Sequence, residues 1–149
     1  MSFLLDSNIL LRLVEPAHPM HTAALDACTT LLGAGEPVHI VPQNISEFWN
    51  VCTRPIAQNG LGFSSEQTNA EASRLESLFE LLLDQPGLYR EWRRLVVQHA
   101  VKGVKVHDAR IVAAMNIHGI SHLVTFDEDD FRRYQDITVM SPAQVVSGS

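Results

Sequence analysis

Phe3-Leu4-Leu5-Asp6-Ser7-Asn8-Ile9-Leu10 sets an apolar triplet directly against a carboxylate and two short polar residues. An apolar run bounded by turn-forming polar groups reads as a buried strand, and renewed apolar spacing after the break reads as a helix. Working outward, strand-like runs return at residues 38–41, 123–126 and 137–140. Helical patterns fill the gaps, and this alternation implies a parallel sheet with helices on both faces.

The helices are read from spacing and stop signals. Residues 8–14 form a short helix stopped near Pro16, and residues 19–32 form a second, ended by Gly33 and Gly35. In a third, Ile45, Phe48, Trp49 and Cys52 follow i, i+3, i+4, i+7 spacing, and Pro55 stops it. Ser64 and Gln67 stand at capping-box spacing for a fourth, whose apolar face is Leu75, Leu78, Phe79 and Leu82 before Pro86-Gly87 breaks it. A fifth runs through Trp92, Leu95, Val96 and His99 to Gly103. The sixth spans residues 107–118, with Ile111, Val112 and Met115 inward and Gly119 past its end.

This reading brings four acids to one end of the sheet. Asp6 follows the first strand, Asp127 follows the run 122–126, Glu47 lies in the first turns of the third helix, and Asp108 opens the sixth. Open α/β sheets bind ligands beyond the carboxyl ends of their strands. Acids gathered there repel one another unless a cation lies among them, which points to a hard metal and to phosphate chemistry. Asp108 precedes Ile111, Val112 and Met115 by three, four and seven residues, so it shares their inward stripe. Taken singly, each acid has a structural reading as well. Asp6 and Asp108 suit a helix N-terminus, Thr125 and Glu128 have capping-box spacing around Asp127, and a helical Glu such as Glu47 is commonly solvated.

Composition sets limits. At 149 residues the chain is long enough for one domain with a sizeable core. Apolar content is 46%, and charged content is 19% against roughly 25% in typical globular proteins. We expect a single domain over residues 1–146 and a flexible tail at 147–149. The net charge of −6 argues against a module that binds nucleic acid through counterion release. It leaves an enzyme open, because bound divalent ions reverse the local sign. Arg90, Arg93, Arg94, Lys102 and Lys105 fall close together and suit either a phosphate approach path or a solvated helix face.

Cys28 and Cys52 show no metal-ligand spacing and read as small core residues in a reducing compartment. Met1-Ser2-Phe3 leads straight into a strand and no run of membrane length follows, so a cytoplasmic protein without membrane contact is expected. His18 and His21 lack the zinc-protease spacing, while His99 and His107 lie near the acids. No phosphate-binding Gly-Lys loop, serine-nucleophile elbow or dinucleotide fingerprint is present.

Four stretches, in order, resemble the PIN-domain nucleases, in particular the VapC-type toxins of toxin–antitoxin modules. They are the opening Phe3 to Leu10, Pro42-Gln43-Asn44-Ile45-Ser46-Glu47-Phe48-Trp49-Asn50-Val51, Val106-His107-Asp108-Ala109-Arg110-Ile111-Val112-Ala113-Ala114, and Leu123-Val124-Thr125-Phe126-Asp127. The resemblance implies a PIN-like three-layer α/β/α sandwich with a central, mostly parallel sheet of four to five strands. It implies Mg²⁺ or Mn²⁺ bound by Asp6, Asp108 and Asp127, and RNA hydrolysis giving 5′-phosphate and 3′-hydroxyl ends. Asp6, Glu47, Asp108 and Asp127 would be the catalytic acids, with Ser7, Thr125 and Asp130 supporting them; the fourth position varies in the family, and Asp127 is favoured over Asp129 and Asp130 because it stands closest to the strand end. It implies a cognate antitoxin and a homodimer as partners. Trp49, Phe48, Leu78, Phe79 and Leu82 suit either an apolar groove for that antitoxin, between the third and fourth helices, or the interior.

Competing readings fit less well. Haloacid dehalogenase-like phosphatases carry a second Asp two residues after the first, where Asn8 stands here. A phosphoacceptor receiver domain needs a Lys after a late strand, and residues 123–126 are followed by acids. A catalytically silent PIN-like interaction module is the remaining alternative, against which the four acids speak.

Overall fold

The computed structural model describes residues 1–148. Its strands are β1 (Phe3–Leu5), β2 (Val38–Ile40), β3 (Glu80–Leu81), β4 (His122–Val124) and β5 (Thr138–Met140). Its helices are α1 (Ser7–Leu13), α2 (His21–Gly33), α3 (Pro42–Thr53), α4 (Ser65–Leu78), α5 (Leu88–Gln98), α6 (Lys105–His118) and α7 (Pro142–Ser147). All strand pairs are parallel, in the order β3-β2-β1-β4-β5.

Alternate side chains of the central strand sort the layers, because successive Cβ atoms leave a strand on opposite faces. Phe3 and Leu5 join Ile9, Leu10, Ala24, Ala27, Phe48, Leu75 and Val145 in one core, beneath α1, α2, α3, α4 and α7. Leu4 joins Leu88, Leu95, Ile111, Val112, Met115 and Leu123 in the other, beneath α5 and α6. The result is the three-layer α/β/α sandwich that the sequence implied. The fully buried triplet β1, flanked by β2 and β4, explains why its residues carry no polar alternation.

The fourth helix departs from expectation. It begins as the capping pair predicts, Gln67 N donating to Ser64 Oγ at 3.0 Å. It then stops at Leu78, and Phe79 turns extended. Glu80–Leu81 pairs with β2, so Phe79 and Leu82 are not on a helical face. Two residues are too few to show a period, and their pairing edge on β2 overrides the helical spacing. The terminal helix α7 was likewise not anticipated. Ser141 caps it, Gln144 N donating to Ser141 Oγ at 3.2 Å, and Gly148 ends it in the left-handed region at φ 75°. The expected tail at 147–149 thus begins inside this helix, and Ser149 lies outside the described residues. Among the described residues no helix is long and apolar enough to cross a membrane.

Candidate active site

The chain runs from β1 to β2 on one side of the sheet, while β4 lies on the other side of β1. The crevice between the carboxyl ends of β1 and β4 is therefore the topological switch point, where an open parallel sheet offers space for a ligand. Leu5 stands in register with Val124, so Asp6 and Thr125 leave the sheet side by side. The Asp6 amide donates to the Val124 carbonyl at 3.0 Å and closes the seam.

Asp6 is both helix cap and site residue. Its carboxylate accepts from the Ser7 amide at 2.8 Å and from the Thr125 hydroxyl at 2.7 Å. These donors favour the charged form, but they do not win. Burial, joined by the nearby Glu47 and Asp108 carboxylates, pushes the Asp6 carboxyl up to about 7. Thr125 is fully buried and does not cap the following turn through Glu128. Its hydroxyl oxygen instead accepts from the Asp127 amide at 3.0 Å and from Asn8 Nδ2 at 3.2 Å.

Glu47 comes from α3 on the other flank. Ser7 Oγ donates to Glu47 Oε1 at 2.5 Å, and Gln43 Nε2 donates to Glu47 Oε2 at 3.2 Å. Behind them Asn44 is fully buried, its Oδ1 accepting from the Val41 amide at 2.9 Å and its Nδ2 reaching Ser7 Oγ at 3.4 Å. Asn44, Gln43 and Asn8 were not singled out from the sequence. A signal for Asn44 existed: it precedes Phe48 and Cys52 by four and eight residues, on the same inward stripe, and a buried amide there needs partners.

Asp108 lies in the first turn of α6, half-buried at the end of the stripe that holds Ile111, Val112 and Met115. Burial first, then the Asp130 carboxylate, push its carboxyl up to about 6, with Glu47 and Asp127 adding and Lys105 opposing. Lys105 joins the acids directly: its Nζ lies 2.6 Å from Asp130 Oδ1 and 3.9 Å from Asp108 Oδ2. Hydrogen bonding to Asp130 raises the lysine further above its ordinary value. Arg90, Arg93 and Arg94, by contrast, line a separate depression on α5 with Val97 and Gln98, and Arg94 pairs with Glu91 at 2.7 Å. The basic stretch therefore divides, with Lys105 alone of the quoted five pairing with the site acids.

After β4 the acids fan outward. Asp127 is exposed and accepts from Asn8 Nδ2 at 3.1 Å. Asp129 is exposed and paired with Arg132 at 2.6 Å. Among the described residues, no group of three His, Cys, Asp or Glu side chains forms a ready-made set of metal ligands. The donor chemistry nevertheless fits a hard cation: carboxylate and hydroxyl oxygens gather in the crevice, and burial beside other carboxylates pushes two of the carboxyls up, which a bound cation would offset. The ammonium of Lys105 already shows where positive charge settles.

The apolar groove considered for a partner is corrected in part. Phe48 and Phe79 are interior. Leu82 is partly buried against the core beneath α5 and α6, and Leu78 is half-exposed. Trp49 instead lines a shallow cleft with Pro42, Ile45, Ser46, Glu76, Leu81 and Leu83.

A family model described as PIN domain matches residues 3–137. No curated protein matches the chain. Solved structures do. VapBC2 from Rickettsia felis, bound to a promoter DNA fragment, is 16% identical with a TM-score of 0.68, over 95% of this chain and 98% of that one. VapC20 from Mycobacterium tuberculosis, a Sarcin-Ricin loop cleaving toxin, is 20% identical with a TM-score of 0.66, over 89% and 95%. A toxin–antitoxin complex from Klebsiella pneumoniae is 21% identical with a TM-score of 0.63, over 95% and 98%.

Proposed function

The chain belongs to the PIN-domain family, and from that premise we propose that it is a Mg²⁺- or Mn²⁺-dependent endoribonuclease, the toxin of a toxin–antitoxin pair. The observation that carries this reading is the gathering of Asp6 and Asp108, from distant segments, at one end of the sheet with Glu47 acting on both. Burial, joined by neighbouring carboxylates, pushes them up to about 7 and about 6. Such perturbed acids in a crevice mark a functional site on physical grounds.

Asp6, Asp108 and Asp127 would hold the cation, and Asp130 would support them from beside Lys105. A divalent ion bound there supplies Lewis acidity toward the phosphate and lowers the pKa of a water. The chain's own residues do the rest. Ser7 and Thr125 fix both oxygens of Asp6, so that carboxylate is pre-positioned. Glu47, held by Ser7 and Gln43, faces the crevice as the group that takes a proton from the attacking water. Lys105 balances the acids and offers its ammonium to an incoming phosphate.

The relatives named above include toxin–antitoxin complexes, which supports an antitoxin partner for this chain. Its apolar residues would lie in the Trp49 cleft, and a basic side chain would reach the acids. A homodimer and a cytoplasmic location complete the reading. The Lys105 ion pairs favour one second reading, a PIN scaffold whose lysine permanently fills the acid site. Incubating purified wild type and Asp108→Asn with RNA and Mn²⁺ decides between them. The proposal expects cleavage by wild type alone, whereas an inert wild type leaves the scaffold.

A further inference from the structure

On the far side of His107 and Arg110 from Glu47 lies a cavity of about 530 Å³, lined by Asp84, Leu88, Tyr89, Trp92, Val106, His107 and Arg110. A second, shallower depression holds Glu47, Gln43, Ser46 and Asn50, and shares His107 and Arg110 with the first. The two form one path from the acids to an aromatic shelf. Tyr89 is 59% exposed, and its ring lies 6.0 Å from that of Trp92, tilted by 37°. Trp92 is anchored from below, its Nε1 donating to the Val106 carbonyl at 2.7 Å. An exposed tyrosine beside a fixed indole keeps apolar ring faces in water for no benefit to the core, since Trp92 alone of the two packs on it.

Arg110 stands where the path bends. Its guanidinium lies 3.0 Å from Asp84 Oδ2 and donates to Gln43 Oε1 at 3.1 Å, and Gln43 in turn contacts Glu47 and the His107 carbonyl. Both ends of the Arg110–Asp84 pair are part-exposed, so solvent weakens it and a phosphate can displace the carboxylate.

We propose that the Tyr89–Trp92 shelf receives an unpaired nucleobase of the RNA, while Arg110 holds a phosphate between that base and the acids. The inference rests on the nuclease reading and deepens it, naming this shelf as the anchor for one base of the substrate. Stacking suits the site because every base presents a flat π-face, and a ring offers large contact at little entropic cost. It also explains how a chain with net charge −6 retains RNA: one guanidinium and two rings act locally where a global basic field is missing.

The test is a comparison of wild type, Tyr89→Ala and Tyr89→Phe on a short single-stranded oligoribonucleotide with Mn²⁺. Loss of one stacked base is expected to raise KM about tenfold in Tyr89→Ala, with kcat changed less than about twofold. Tyr89→Phe should restore KM, and an oligonucleotide with an abasic residue at the stacked position should erase the difference between variants. Binding is read separately in Ca²⁺ by quenching of Trp92 fluorescence, in a Trp49→Phe background that leaves it the sole indole. If wild type cleaves and Tyr89→Ala keeps its KM, the shelf is refuted while the nuclease stands. If wild type does not cleave yet RNA quenches Trp92 in a Tyr89-dependent way, the shelf stands and the nuclease reading falls. Neither cleavage nor quenching refutes both.

Discussion

The corner Asp6-Ser7-Asn8 and the segment from Asp127 to Asp130 both bring acids to the same end of the sheet, yet they hold them in opposite ways. At the corner one carboxylate is half-buried, and each oxygen has a fixed donor. In the later segment acids are more numerous and looser. Asp127 is exposed, Asp129 is 82% exposed and tied to Arg132, and Asp130 is tied to Lys105. Acid count is therefore a poor guide to chemistry. Burial beside other carboxylates, against backbone and hydroxyl donors, is what turns Asp6 into a perturbed group. Exposure leaves Asp127 and Asp129 screened by water.

This contrast can be broken most directly by removing charge on each side. Asp6→Asn is expected to lower the rate of RNA cleavage by about a hundredfold or more, because it strips a fixed oxygen from the reacting centre. Asp129→Asn should lower it less than about twofold, and Asp127→Asn should fall between. Initial rates on labelled RNA with Mn²⁺ measure all three, and equal losses would erase the distinction drawn here.

Metal binding sharpens the comparison next. At a hundredfold excess over Kd, Mn²⁺ is expected to stabilise the folded wild type by about 2.7 kcal/mol. Thermal melts should show the same shift in Asp129→Asn and none in the Asp6→Asn/Asp108→Asn double variant. An unreduced shift in the double variant would place the ion elsewhere.

Smaller effects concern the supports. Thr125→Val deletes a buried hydroxyl that partners Asp6, Asn8 and the Asp127 amide, and should cost about 1–3 kcal/mol in denaturant titrations. Asn8→Ala removes an amide that reaches Thr125 and the exposed Asp127, and should cost about 1 kcal/mol or less. A cost for Asn8→Ala above that for Thr125→Val would refute this order.

The gentlest probe is pH. Asp6 and Asp108 have folded-state values raised from 3.8 to about 7 and about 6. The unfolded chain therefore ionises first, and the stability these groups contribute is complete below 3.8 and lost as pH rises through about 6 and 7. Metal-free wild type should melt lower at pH 8 than at pH 5, a slope that Asp6→Asn flattens. Melts in chelator across that range test it, and a rising slope would refute the direction.

Much of this architecture is legible residue by residue. The triplet Phe3–Leu5 announces a strand because no polar side chain interrupts it, and Gly119 ends α6 in the left-handed region, at φ 70°, where a side chain would be strained. Asp108 is readable as inward-facing because its spacing to Ile111 and Met115 is helical. Lys105 was readable only as one cation of five. Its selection over Arg90 and Arg93 depends on which face of the α5–α6 layer meets the segment after β4.

By itself the sequence determined the strand-like runs at residues 3–5, 38–41, 123–126 and 137–140, their parallel alternation with helices, and the acids that follow them. Those properties reside in continuous apolar runs, in the helical period of 3.6 and in local stop signals, which act within a few residues. Only the tertiary structure decided that Glu80–Leu81 is a strand, that Phe48 and Phe79 are core, and which acids feel one another. Asp6 and Thr125 are 119 residues apart in sequence and 2.7 Å apart in space. Hydrogen bonding and charge coupling fall off with distance in space, whatever the separation along the chain. A carboxylate's environment is therefore set only when the register of β1 against β4 closes the sheet.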